Sequence, residues 1–192
     1  MVTGKGKKLV YVSEDLIEKA TRTSREEGVS LSKLIESALT EAVKVNELGY
    51  TSRQMAEFFT VLQTHRVLGG LFVPSGVLEF MIKKTSENGL QELQELWYES
   101  GKWNGKYLKE KFENPIEAFT TFLKLSRWDL NEVEVKEDSV QSTVKIRVVS
   151  TVMSMEGTKL LSKFMEGVMN GLNLKTGQLD TLKGMIILEF KK

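Results

Sequence analysis

The sequence predicts an α+β chain, in which a short strand-helix-helix module precedes a larger domain of helices and antiparallel strands. Three observations predict it. Residues 7–12 alternate and are followed by two helical runs hinged at Gly28. Residues 52–126 read as helices punctuated by Gly and Pro. From Glu132 onward, period-two alternation brackets one further helical run. At 192 residues the chain can build one large or two small domains, each with its own core. The expected division is a module over 1–45, a connecting helix over 46–65 and a second domain over 66–192.

In the first segment, alternation puts Val10 and Val12 on one face and Lys7, Leu9 and Tyr11 on the other. No partner strand lies within reach in the same chain. The backbone donors and acceptors therefore need a second molecule, most simply the same strand of a second copy about a two-fold axis. Ser13 is suited to cap the next helix, and Glu14 and Asp15 favour its positive end. Leu16, Ile17, Ala20 and Thr23 form a narrow inward stripe, and Gly28 is placed to end the helix in a left-handed conformation. Ser30 then caps a helix whose Leu31, Leu34, Ile35, Ala38, Leu39, Ala42 and Val43 form a broad apolar face. So small a unit cannot bury this face alone, whereas two intertwined copies can.

Residues 5–45 resemble the ribbon-helix-helix family of dimeric regulators, the group of Arc- and MetJ-like repressors. Leu9 to Glu14, Gly28 to Lys33 and Ile35 to Leu39 carry the resemblance. It implies a homodimer whose two-stranded ribbon enters the major groove of double-stranded DNA. By the same resemblance Lys7, Leu9 and Tyr11 face the bases, while Ser30, Leu31 and Ser32, helped by Lys33, hold a phosphate at a helix start. Lys5, Lys7 and Lys8 add a basic arm ahead of the first acid, Glu14. Family members usually present Arg, Thr, Asn or Gln on the reading face. Leu9 and Tyr11 stand there instead, so modest sequence specificity is expected.

Asn46 to Gly49 breaks the second helix, and Tyr50-Thr51-Ser52 starts another running to about Thr64. Val67 to Val73, ending at Pro74, reads as an extended stretch or turn; Ser75 caps a helix to about Thr85, and Asn88-Gly89 punctuates. A long helix over about Leu90 to Glu113 has Leu93, Leu96, Trp97, Tyr107, Leu108 and Phe112 as inward positions. Asn114-Pro115 starts the next, carrying Ile116, Phe119, Phe122 and Leu123. Glu132 to Lys136 and Ser142 to Thr151 form a hairpin with a turn at Glu137 to Ser139. A helix spans about Glu156 to Asn170, and Leu172 to Leu182 with Met185 to Phe190 closes a second hairpin. The order implies a mostly antiparallel sheet beside helices.

This second part, roughly residues 66–192, resembles the four-vinyl-reductase domain, a small-molecule-binding fold. Leu96 to Gly105, the first hairpin and Phe164 to Leu172 carry the resemblance. It implies tight packing at the glycines of the long helix and a cavity for a small hydrophobic or aromatic ligand. Trp97, Trp103, Phe122, Trp128, Met153, Met155 and Met165 are the candidate pocket residues, although side chains of this kind at helical spacing more often fill an ordinary core. Many family members carry cysteines that suggest a metal site. This chain has no cysteine, so no metal or other cofactor is expected.

Twenty-seven basic residues face twenty-six acidic ones, so no chain-wide field favours nucleic acid. Over residues 1–45 eight basic side chains oppose seven acidic ones, and the electrostatic case rests on the arm. No apolar run approaches membrane length and no signal-like apolar stretch follows the first lysines, so a cytoplasmic protein with no membrane partner is expected. His65 is the only histidine, which excludes a multi-histidine metal centre within one chain, and its neighbour Arg66 and place at a helix end suggest a solvent-exposed or dipole-interacting ring rather than a base. No serine lies in a nucleophile elbow, Gly69-Gly70 lacks the lysine of a phosphate loop, and Glu132, Glu134 and Glu137 read as a solvated face. A non-enzymatic DNA-binding transcription regulator is the expected function. The alternatives are a dimeric scaffold that never meets DNA and an antitoxin, the latter disfavoured by the patterned residues 66–192.

Overall fold

The computed structural model describes residues 9–85, 87–138 and 140–192, so Lys5, Lys7 and Lys8 lie outside the described residues. Seven helices and four strands occur among them. The chain divides between Ala56 and Glu57 into two compact units, a boundary inside the segment read as a connecting helix.

The first unit holds α1 (Glu14–Glu26), α2 (Leu31–Glu47) and the opening of α3 (Ser52–Val67). Gly28 sits at φ +68°, a left-handed conformation that L side chains adopt only under strain, and it separates α1 from α2 as its position suggested. Ser30 caps α2, its Oγ accepting from the Lys33 amide at 3.3 Å. Ser13 forms no such side-chain bond; Glu14 and Asp15 meet the positive end of α1 instead. α3 opens with a reciprocal cap, in which the Thr51 amide donates to Gln54 Oε1 at 2.8 Å and the Gln54 amide to Thr51 Oγ1 at 3.2 Å. Residues 9–12 form no β-ladder with any other described residues.

The second unit continues α3 and adds α4 (Ser75–Lys84), α5 (Glu87–Lys111), α6 (Pro115–Ser126) and α7 (Met155–Gly171). Strands β1 (Glu132–Asp138), β2 (Thr143–Val149), β3 (Lys175–Leu182) and β4 (Met185–Lys191) form one antiparallel sheet in the order β1-β2-β4-β3. Two hairpins are joined through the central β2–β4 pair, where Ile146 faces Leu188, and α7 makes the connection between them. Alternation sends Val144, Ile146, Val148, Ile186, Leu188 and Phe190 to one face, none more than 1 % exposed. They share a core with Phe119 and Leu123 of α6 and with Leu161, Met165, Val168 and Met169 of α7.

α5 and α7 form the most extensive helix pair of the fold. A β-carbon on Gly101 would overlap the Phe164 carbonyl oxygen, and one on Gly167 would overlap that of Tyr98. Backbone thus meets backbone where side chains would normally hold two helices 8–10 Å apart. The polar Tyr98 hydroxyl on this seam donates to Asn170 Oδ1 at 2.8 Å.

Four details differ from the sequence reading. Ser75 is the first residue of α4, with Pro74 in the cap position. Asn88 and Gly89 lie inside α5 rather than before it, because poor helix formers cost little in a first turn whose amides have no intrahelical acceptor. Leu96 is 67 % exposed: the inward stripe of α5 runs through Gly101, Asn104, Gly105 and Leu108, and Leu96 falls on the face of Glu92, Glu99 and Trp103. The first hairpin extends to an Asp138–Thr143 pair, so its turn comes later, with Asp138 Oδ1 accepting from the amides of Val140 and Gln141, both at 2.9 Å.

Candidate nucleic-acid interface and ligand cavity

Unit 1 carries the residues expected to meet DNA. Leu9 and Tyr11 stand clear of their own chain, and Val10 and Val12 on the other face are exposed as well. At the start of α2, Ser30 takes the Lys33 amide, while helix geometry leaves the amides of Leu31 and Ser32 without an intrahelical acceptor. The first turn of α2 holds no acidic residue. Lys19 is committed to Asp15 at 2.7 Å and Lys44 to Glu41 at 2.9 Å, whereas Lys33 forms no ion pair among the described residues. An amide cluster flanked by a free lysine suits an anion.

The helical pair is poorly buried. Among the described residues of unit 1, Ser24 alone is buried, its Oγ donating to the Thr21 carbonyl at 2.9 Å. Leu16, Leu39 and Val43 are each more than half exposed. Burying a leucine or valine contributes about 1.5–3 kcal/mol, so this unit leaves much of its apolar face unused in the single chain.

Unit 2 contains a cavity of about 250 Å³ between α4, α5, the segment after α6 and the start of α7. Of the seven pocket candidates, it brings together Trp97 and Met153. Met165 and Phe122 are core residues, and Met155 is partly buried in the first turn of α7. Trp103 is exposed on α5, and the exposed Trp128 ring stacks on Phe72 at 6.1 Å between centroids and 11° between planes. The polar cavity residues Glu79, Arg127 and Asp129 carried no sequence signal, since Glu79 lies on α4 and the other two in the segment after α6. Arg127 grips Asp129 with two bonds, Nε to Oδ1 at 2.8 Å and Nη2 to Oδ2 at 2.6 Å. Burial pushes the Asp129 carboxyl up, but the hydrogen bond and charge of Arg127 outweigh it and hold the group below the ordinary value.

His65, at the end of α3, is partly buried rather than solvent-exposed. Its ring packs 4.6 Å from Phe122 and 5.7 Å from Phe72, and Nε2 is buried without a hydrogen-bond partner among the described residues. Burial lowers its pKa, which favours the neutral imidazole. No helix among the described residues is long and apolar enough to cross a membrane, and they contain no cluster of metal-ligating side chains. Compared with protein-family models, with curated proteins and with solved structures, the chain matches none.

Proposed function

We propose that the chain is a cytoplasmic, non-enzymatic regulator of transcription that binds double-stranded DNA as a homodimer. One observation carries this reading: α1 and α2, hinged at a left-handed Gly28, leave Leu16, Leu39 and Val43 bare, and the exposed segment Leu9 to Val12 has no strand partner among the described residues. A second copy completes both deficits at once, pairing the segment into a ribbon and covering the apolar face. The ribbon then presents Lys7, Leu9 and Tyr11 to the major groove, and the start of α2 at Ser30, Leu31 and Ser32, helped by the Lys33 side chain, takes a backbone phosphate. The second unit supplies ligand response, acting through a difference in ligand affinity between DNA-competent and DNA-incompetent arrangements.

Titrating the chain with mixed-sequence duplex DNA tests this. The expected affinity falls steeply from about 50 to about 200 mM salt as condensed counterions are released. Replacing Lys7 and Lys8 together by Ala weakens binding and flattens the salt slope. No measurable duplex affinity at low salt ends the reading. The apolar Leu9 and the Tyr11 ring on the outer face favour a second reading, a dimeric scaffold that docks protein rather than DNA. That reading predicts dimers without duplex binding.

A further inference from the structure

The cavity of unit 2 has a chemical polarity that its apolar walls alone do not suggest. Leu78, Ile82, Trp97, Met153, Leu160 and Leu161 supply the apolar lining. Three charged side chains border it, and two of them satisfy each other, because the Arg127 fork is spent on Asp129. Glu79 is different. No cationic side chain pairs with it among the described residues, and its Oε1 accepts only the Ser154 amide at 3.5 Å, the outer limit of a hydrogen bond. That contact and the positive end of α7 offset part of the Glu79 charge without supplying a counter-cation. Ser154 itself caps α7, its Oγ accepting the Gly157 amide at 3.0 Å, and a β-carbon on Gly157 would stand 2.9 Å from Glu79 Oε1. A carboxylate is therefore held against the first turn of α7, beside an apolar cavity, without a cation of its own.

We propose that this cavity binds a small protonated amine with an aromatic or aliphatic body. The apolar lining takes the body, which supplies affinity by leaving water. Glu79 takes the ammonium group in a charge-assisted hydrogen bond, and the Trp97 face adds attraction for the same charge. The Arg127–Asp129 pair is neutral as a unit, so the net formal charge of the side chains bordering the cavity is negative and disfavours carboxylates and phosphates. The proposal deepens the ligand-response part of the function above and rests on it for regulatory meaning, but amine binding itself requires no DNA.

The test uses the full chain without DNA and three probes of one shape: phenethylamine, 2-phenylethanol and 3-phenylpropionate. Calorimetry measures binding, and Trp97 fluorescence in a Trp103→Phe, Trp128→Phe background locates it. Phenethylamine is expected to bind saturably and to change Trp97 emission, with 2-phenylethanol at least tenfold weaker and 3-phenylpropionate weaker again. Glu79→Gln should lose at least tenfold for the amine while leaving the alcohol unchanged, and Glu95→Gln on the exposed side of α5 should change neither. A thermal melt establishes that each variant folds, and Glu79→Asp provides a second variant that retains the charge and should retain amine preference. The proposal is overturned if no probe binds, if amine and alcohol bind equally, or if Glu79→Gln leaves amine affinity intact. Because duplex binding is measured separately, a chain that binds the amine but no DNA sinks the regulator reading alone.

Discussion

Gly105 of α5 and Gly171 of α7 touch without side chains between them: a β-carbon on Gly105 would stand 3.0 Å from the Gly171 Cα and would overlap the Val168 carbonyl oxygen. The obstacle is backbone, which cannot rotate away as a flexible side chain can. Gly105→Ala should therefore push the two helices apart and cost at least the ~1–3 kcal/mol typical of overpacking a core. Gly76→Ala is the matched control. A β-carbon there meets nothing within 4 Å, and because Gly76 lies in the first turn of α4 the variant should match the native chain or gain less than the ~1 kcal/mol of a helix interior. Chemical denaturation of both variants checks the sign of each effect.

The Arg127–Asp129 pair is half-buried, with both side chains 26 % exposed. Arg127→Met keeps the aliphatic volume but leaves a carboxylate that burial already destabilises. The expected loss lies between the ~0–1 kcal/mol of an exposed pair and the ~3–5 kcal/mol of breaking a buried one. The same change raises the Asp129 pKa. In the native chain the depressed pKa contributes stability above the unfolded value, and this is lost as pH falls through the folded value. The variant should lose that acid-range contribution, which acid titration followed by circular dichroism would show.

Leu39 and Val43 separate a lone unit 1 from a dimeric one. In the single chain both side chains are more than half exposed, so replacing them by Glu should leave monomer stability nearly unchanged. In a two-fold dimer each substitution removes about 1.5–3 kcal/mol of apolar burial from each copy and sets a charge in the interface. Sedimentation equilibrium should then show a dimer for the native chain and a monomer for Leu39→Glu with Val43→Glu. A native chain that sediments as a monomer at micromolar concentration would remove the ribbon along with the dimer.

Local chemistry made much of this fold legible. Asn114-Pro115 announces α6 because Pro lacks only an amide that a first turn does not use, and Asn114 Oδ1 accepts the Glu117 amide at 3.2 Å. Val144, Ile146 and Val148 announce β2 because one face of the sheet is dry and the other, with Lys145 and Arg147, is wet. The cavity was not legible for the opposite reason. Glu79 comes from α4, Trp97 from α5, Asp129 from the segment after α6 and Met153 from the approach to α7, and no local pattern links them. Met165 and Phe122 share the residue types expected of a ligand box, but helical spacing puts them in the core. The setting of His65 is not legible locally because its ring packs against Phe122, 57 positions further on, as well as against Phe72 beyond the end of α3.

That covering gives the second unit a pH dependence with a definite sign. Burial lowers the His65 pKa from the ordinary 6.5, so the unfolded chain takes up a proton at a higher pH than the folded chain does. Well above pH 6.5 neither state is protonated and the histidine imposes no penalty. As pH falls from there towards the folded pKa, protons bind the unfolded state preferentially and stability declines; below the folded pKa the loss is complete. The melting temperature should drop as pH falls through about 6.5, a range in which most carboxylates remain ionised. His65→Phe keeps an aromatic ring against Phe122 and removes the titrating group, so its melting temperature should vary less over the same interval. Equal slopes for the native chain and the variant would mean that the imidazole is solvated in solution and that its Nε2 is not enclosed.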